Sequence, residues 1–296
     1  MKMRYEKTRS GRRILQCVLL LALFTVFGLA GCASQKVIVP PVSNSAAFLR
    51  LPGKFVWFDL YTTDMTSASN FYDALFDWDF ERTNDTNPRI KTVFHRGKAI
   101  GNMIGRESEP GNSQWLSYMS VEDVDSSVVA AENMGATLHI PAKELPNRGR
   151  IAVILDPQKA GVALLTSSTG DPVDDKYVIN RWLGCELWTT DVDGAGLFYK
   201  KLVGYDVELK DMKGKGKYSL LTRRGKRRGG IAKIPWDDVK PEWIPYIAVE
   251  NVLATTMKAQ TVGGTVILAP DMSIKEGRVA IIADPSGAVF GIQQLN

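Results

Sequence analysis

The residues best placed to do chemistry in this chain are two carboxylates in matching surroundings. Asp59 lies in FVWFDLYTT and Glu186 in WLGCELWTT, each within an aromatic and aliphatic run that reads as a strand. Strand alternation puts Trp57, Asp59 and Tyr61 on one face, and Gly184, Glu186 and Trp188 on the matching face of the second run. A carboxylate on an enclosed sheet face can coordinate a hard cation, act as a base, or anchor backbone and Arg groups of its own sheet. The sequence leaves those three open. Arg150 and Arg278 each follow a glycine and enter an apolar strand. A planar guanidinium there either clamps an anionic ligand or an inward carboxylate, or forms a structural pair. Tyr118 and Tyr246, with Trp115 and Trp243, supply aromatic surface for a small planar ligand or fill a core.

Other chemistries find less support. His95, beside a hairpin turn, and His139, before Pro141, have no paired spacing, and both are expected at the surface or in packing rather than as ligands. Cys185 is expected to be a small buried hydrophobe inside an apolar strand. No Gly-rich phosphate loop and no nucleophile–base pair is evident. With 45% hydrophobic and 23% charged residues among 296, disordered and collagen-like classes are excluded. The net charge of +5 is that of residues 1–31, where Lys2, Arg4, Lys7, Arg9, Arg12 and Arg13 face Glu6 alone. Residues 32–296 are neutral overall, so nucleic acid is not an expected partner.

An internal repeat sets the architecture. Thr62-Thr63-Asp64 recurs as Thr189-Thr190-Asp191 and Phe71-Tyr72 as Phe198-Tyr199, at an offset of 127. The offset then becomes 128 and holds for Arg96-Gly97-Lys98 with Arg224-Gly225-Lys226, Trp115 with Trp243, Tyr118 with Tyr246, Gly149-Arg150 with Gly277-Arg278, and Asp156-Pro157 with Asp284-Pro285. Within copy one, Ala68, Phe71, Tyr72 and Leu75 form one helical stripe after Asp64, and a second helix spans Asp125 to Met134, closed by Gly135. Hairpins are expected around Arg96-Gly97-Lys98 and around Pro157 to Gly161. The order reads β-α-β-β followed by a further β-α-β-β in each copy.

The runs TTDMTSASNFYDALFDWDFE, WLSYMSVEDVDSSVVAAENMGA and GRIAVILDPQKAGVALL, each with its counterpart in copy two, resemble the vicinal oxygen chelate superfamily of glyoxalase- and bleomycin-resistance-like proteins. The resemblance covers about Phe55 to Leu295. It implies an α+β fold of tandem glyoxalase-like modules, in which paired βαβββ units curl their mixed sheets into open cups. It also implies a divalent metal in each cup, held by His, Glu or Gln on the first and last strands. The corresponding slots here are Trp57 and Ala163 in copy one, and Gly184 and Gly291 in copy two, none of which binds a metal. No cofactor is therefore expected, and the family's metal-dependent activities do not carry over. A divalent ion would need other ligands, such as Asp59 and Glu186.

The amino terminus is read as an address. A basic start, the apolar run Ile14 to Ala30 and Leu29-Ala30-Gly31-Cys32 resemble a bacterial lipoprotein signal, with Cys32 lipidated and Ala33 favouring the outer membrane. The expected organisation is a signal peptide over 1–31, a flexible tether over 32–52, module one over 53–170, a linker over 171–180 and module two over 181–296. The basic stretch Lys210 to Arg228 on the second hairpin is a candidate docking surface for an anionic envelope partner. The leading expectation is a periplasm-facing lipoprotein that binds a small molecule without metal, through Tyr61, Trp188, Tyr118, Tyr246, Arg150 and Arg278. One alternative is a lyase- or hydroxylase-like enzyme using Asp59 and Glu186 as catalytic carboxylates. The other is an envelope scaffold docked through the basic hairpin.

Overall fold

The computed structural model describes residues 39–43, 48–83, 87–107, 113–211, 217–236 and 239–295. Cys32, the signal segment and the start of the expected tether lie outside the described residues, as do Lys213 and Lys215 of the basic stretch.

In the first half, strand β1 (Phe55–Thr62) leads into helix α1 (Met65–Phe76), then β2 (Asp79–Arg82), β3 (Ile90–His95) and β4 (Lys98–Gly105). The pattern repeats as β5 (Gln114–Ser120), α2 (Val124–Asn133), β6 (Thr137–Leu145), β7 (Gly149–Leu155) and β8 (Gly161–Ser167). These strands make one sheet in the order β2-β3-β4-β1-β5-β8-β7-β6, with β1 parallel to β4 and antiparallel to β5. The second half repeats it: β9 (Trp182–Thr189), α3 (Val192–Val203), β10 (Asp206–Asp211), β11 (Lys217–Arg223), β12 (Lys226–Lys233), β13 (Glu242–Val249), α4 (Val252–Thr261), β14 (Thr265–Leu268), β15 (Val279–Ala283) and β16 (Val289–Gln294). Its sheet order is β10-β11-β12-β9-β13-β16-β15-β14. The unit is therefore βαβββ, not the β-α-β-β read from local pattern. Local pattern misses β2, whose four residues are exposed or half-buried and give no two-residue apolar period, and β6, whose alternating half-buried Leu138, Ile140 and Ala142 are interrupted by Pro141.

The repeated Thr-Thr-Asp proves to be a helix start. The Asp64 carboxylate accepts the backbone N–H groups of Thr66 and Ser67, and Asp191 accepts that of Gly194, satisfying donors that an α-helix leaves free at its first turn. Each cap is worth about 1 kcal/mol.

One core takes in the inner faces of all four helices and one face of both sheets, including Phe58, Leu60, Phe71, Leu187, Trp243 and Phe290. Two reciprocal chains of hydrogen bonds run through it. Trp115 Nε1 donates to the Tyr72 hydroxyl at 2.8 Å, and that hydroxyl donates to Asp284 of the other half at 3.1 Å. Trp243 Nε1 donates to Tyr199 at 2.7 Å, which donates to Asp156 at 3.0 Å. Trp115 and Trp243 thus belong to the core and do not line a cup. Each Asp also accepts two backbone N–H groups of its own turn. Burial drives both carboxyls above the usual carboxylate range, the backbone donors opposing it.

The other face of each sheet forms a separate apolar cluster. Trp57, Tyr118, Val153, Ala163 and Leu165 line cup 1, while Trp188, Ile244, Tyr246 and Ile281 line cup 2. Part of the expected tether is not free. Val39 and Val42 are buried, and Val42 packs into cup 1. The Pro40 carbonyl accepts from Arg148 Nε at 2.9 Å, and Arg50 donates to the Ser167 carbonyl. No apolar period marks this stretch because it docks through isolated side chains and carbonyls, without forming a helix or strand.

Candidate functional site

In cup 1 the carboxylate of Asp59 is almost fully buried. Its Oδ1 accepts from Trp57 Nε1 at 2.8 Å and from Asn102 Nδ2 at 3.0 Å, and its Oδ2 accepts from the Tyr118 hydroxyl at 2.6 Å. Asn102 is placed by register, opposite Asp59 across the β1–β4 pair. Tyr118 is placed by pairing with Trp57 across β1–β5. These three neutral donors hold the carboxylate, and Arg148 stacks beside them with its guanidinium carbon 4.1 Å from the Trp57 ring centre.

Cup 2 meets the same need with different residues. Glu186 accepts from the Tyr218 hydroxyl at 2.8 Å and from Lys275 Nζ, with Arg227 Nη2 at 3.6 Å. Gly230 stands opposite Glu186, as Asn102 stands opposite Asp59. A Cβ on Gly230 would lie 2.2 Å from the Tyr218 hydroxyl, so the glycine is what lets Tyr218 reach the carboxylate. Burial opposes ionisation of Glu186, but the Lys275 ammonium and the hydroxyls of Tyr218 and Tyr246 outweigh it and hold the carboxyl below its usual range.

The arginines are placed otherwise than expected. Arg150 reaches away from the carboxylates of the cups and pairs with Asp125 at 2.6 and 2.7 Å and with Glu144 at 3.4 Å. Arg278 pairs with Glu276 at 2.9 Å, and Lys275, not Arg278, holds Glu186. Alternation assigns these arginines from the strand they enter, whereas the cups are capped from the loops just before β7 and β15, which carry Arg148 and Lys275. A further charge in each pre-strand loop is the one sequence signal for them. Of the aromatic residues, Tyr118 and Tyr246 are bound into the carboxylate networks. Trp188 sits in cup 2 against Trp236, with ring centres 5.8 Å apart, and Tyr61 is half-buried at the edge of cup 1. His139 is exposed, but His95 is fully buried and its Nδ1 accepts from Arg181 Nε at 3.1 Å. Cys185 is buried, with its thiol donating to Ser117 and its ionisation suppressed by burial.

The metal that the fold implies does not fit these residues. Trp57 fills its slot with an indole, and Ala163 offers only a methyl group. At Gly291 an added Cβ would lie 2.6 Å from the Tyr246 ring, so that ring occupies the space a ligand side chain would need. Among the described residues no group of three or more His, Cys, Asp or Glu is placed to hold an ion.

Open space lies between the cup mouths. A cleft of about 520 Å³ is lined by Trp57 and Gly184, the two first-strand slots, and by Lys98 and Lys226 from the two hairpin tips. These are repeat-equivalent pairs, so the cleft sits where the two halves present the same features to each other. Part of its wall is the segment Pro172–Val178, whose Asp174 accepts Arg228 at 2.6 and 2.9 Å and Lys54 at 3.0 Å. Hydrogen bonding from Arg228 holds the Asp174 carboxyl down at about 2, with Lys54 adding to it. A cavity of about 60 Å³ beside the cleft reaches Glu186 and Tyr246. The volume of the larger cleft suits a drug-sized ligand.

A second cavity, of about 740 Å³, is bordered by Tyr61, Arg106, Lys159 and Glu242. Burial alone pushes the Glu242 carboxyl up to about 7. An acid whose folded pKa exceeds its unfolded value near 4.5 stabilises the fold below that value, and this contribution is lost as pH rises through 7. Glu242→Gln is therefore expected to match wild type at pH 4 and to be more stable by roughly 2 kcal/mol at pH 8.5. Urea melts at the two pH values check this, and a variant that gains nothing at pH 8.5 contradicts it.

No family model matches the chain. Over 243 residues it is 29% identical to "Putative glyoxylase CFP32" of Mycobacterium bovis, covering 80% of this chain and 92% of that protein. Over 265 residues it is 26% identical to the anthracycline biosynthesis protein DauV of Streptomyces sp. (strain C5), covering 82% and 94%. Among solved structures, it is similar to the Mn(II)-bound glyoxalase from Novosphingobium aromaticivorans, with a TM-score of 0.58 and 12% identity over 83% of each chain. Homoprotocatechuate 2,3-dioxygenase from Arthrobacter globiformis gives a TM-score of 0.58 and 13% identity, covering 86% of this chain and 83% of that one. At such identities the structural likeness speaks to fold alone.

Proposed function

Because the chain carries the vicinal oxygen chelate fold in two tandem modules, we propose that it binds a small planar anion in the cleft between the cup mouths, without a metal, while anchored by lipid on Cys32 at the periplasmic face of the outer membrane. The observation that carries the binding reading is the convergence of Trp57, Gly184, Lys98 and Lys226 on one cleft of about 520 Å³. A ring system can stack on the indole while the two lysines neutralise its charge, with Arg227 at the same rim. The basic hairpin expected to dock an envelope partner thus contributes part of a small-molecule site. Relatives named for glyoxylase activity and for anthracycline biosynthesis accord with a small-molecule role. The anchor rests on the Leu29-Ala30-Gly31-Cys32 sequence.

Binding is favoured over catalysis by the state of the two carboxylates. Asp59 already accepts three hydrogen bonds from its own cup, and the Lys275 ammonium holds the Glu186 carboxyl below its usual range, which makes Glu186 a weak base.

The test is native mass spectrometry of the full chain, released from detergent, against a library of polycyclic aromatic acids sized for the cleft, with and without EDTA. A saturable one-to-one ligand that survives EDTA is expected, with Lys98→Glu/Lys226→Glu weakening it at least tenfold, equivalent to about 1.4 kcal/mol. Absence of any saturable ligand, loss of binding in EDTA, or indifference to the charge reversal overturns the reading. Cys32→Ala is expected to move the protein from the membrane to the soluble fraction, and retention in the membrane overturns the lipid anchor.

A further inference from the structure

We propose that cup 1 is a second binding site, specific for a small apolar carboxylate, and that residues 39–43 of the chain itself occupy it in the ligand's place.

Arg148 is the recognising group. It is fully buried, its guanidinium carbon lying 4.1 Å from the Trp57 ring centre and 5.8 Å from that of Tyr118. Its Nε donates to the Pro40 carbonyl at 2.9 Å, while Nη2 is buried with no hydrogen-bond partner among the described residues. Nε and Nη2 form one edge of the guanidinium, with the spacing to take both oxygens of a carboxylate. Two residues further on, Arg150 shows the filled arrangement, donating from Nε and Nη2 to the two oxygens of Asp125 at 2.6 and 2.7 Å.

At Arg148 a single carbonyl oxygen stands where two carboxylate oxygens fit, and a buried cation is left with a stranded donor. Asp59 does not supply the missing acceptor, because its oxygens are engaged by Trp57, Asn102 and Tyr118. The character of the ligand's body is set by the side chain that fills the space now. Val42 is buried against the cluster that contains Trp57, Tyr118 and Leu165, so the displaced volume is apolar. The segment is held by side-chain burial and isolated hydrogen bonds. It has no helix or strand pairing, and its described hydrogen bonds include the Arg148–Pro40 bond and one from Ser43 Oγ to the Gly170 carbonyl at 3.1 Å. Val42 also borders the cleft between the cup mouths, but Arg148 does not line that cleft, so the two sites depend on different recognising groups.

The test titrates the full chain with benzoate, using benzamide as the uncharged control, by calorimetry and by elastase cleavage within residues 37–47. Benzoate alone is expected to bind and to speed that cleavage as the segment leaves. Val42→Ala, which removes the segment's apolar anchor without offering Arg148 a carboxylate, is expected to raise benzoate affinity about tenfold. Arg148→Gln is expected to abolish benzoate binding in both backgrounds, and Lys98→Glu/Lys226→Glu to leave it intact, which separates this site from the cleft. Equal responses to benzoate and benzamide, or benzoate binding that survives Arg148→Gln, overturns the proposal. So does a folded Val42→Ala protein with unchanged affinity. Should Val42→Ala fail to fold, the elastase response of the wild-type chain decides the matter.

Discussion

Asp284→Ala is expected to cost roughly 3–5 kcal/mol of stability, because it strands three buried donors at once, each carrying a penalty of about 1–3 kcal/mol that partial rehydration reduces. Those donors are the Tyr72 hydroxyl and the backbone N–H groups of Ser286 and Ala288. Asp156→Ala is expected to behave alike, through Tyr199, Gln158 and Ala160. Tyr72→Phe should cost less, about 1–2 kcal/mol, since it keeps the ring packing and strands only Trp115 Nε1 and one carboxylate oxygen. Because each aspartate holds a helix of the other half, the two halves are expected to unfold in a single transition in wild type. Denaturant melts followed by tryptophan fluorescence and circular dichroism check both points. A loss below about 1 kcal/mol in Asp284→Ala, or two separated wild-type transitions, contradicts the lock.

Lys275→Ala should destabilise the chain by about 3 kcal/mol at pH 7, the cost of leaving one member of a buried ion pair without its partner. Glu186 would keep only the tyrosine hydroxyls and Arg227 at 3.6 Å. The sign of the pH dependence is set by the lowered carboxyl of Glu186. Its contribution is present above the unfolded value near 4.5 and is lost as pH falls through the folded value. The gap between wild type and Lys275→Ala should therefore narrow as pH falls below about 4.5. The double variant Lys275→Met/Glu186→Gln removes both charges and is expected to recover most of the loss. Melts from pH 3.5 to 8 measure this, and a gap that stays constant with pH, or a double variant as unstable as the single one, argues against the pair.

These two predictions divide the repeated residues by role. Tyr72 and Tyr199, Trp115 and Trp243, and Asp156 and Asp284 recur because they join the halves, and Asp64 and Asp191 recur because each starts a helix. The residues that differ between copies are the ones that dress the cups. Asn102 gives way to Gly230 and Ile90 to Tyr218, while Arg148 and Lys275 come from corresponding loops at positions that do not match. Reading the repeat therefore finds the lock more readily than the site.

The sequence by itself determined the α+β class, the tandem repeat, the helix starts, the hairpin turns and the inward faces of Asp59 and Glu186. Each of these depends on local spacing: a two-residue period, a cap three residues before a helix turn, or the residue type at one position. Only the tertiary structure decided what those carboxylates touch. Arg150 and Asp125 are 25 residues apart, Glu186 and Lys275 are 89 apart, and Arg148 and Pro40 are 108 apart. Partners at such separations are chosen by how sheets curl and loops close, which no local period encodes. For the same reason a stretch without pattern, Val39 to Ser43, places Val42 in cup 1, and Lys226, Arg227 and Arg228 of the basic hairpin border a cleft.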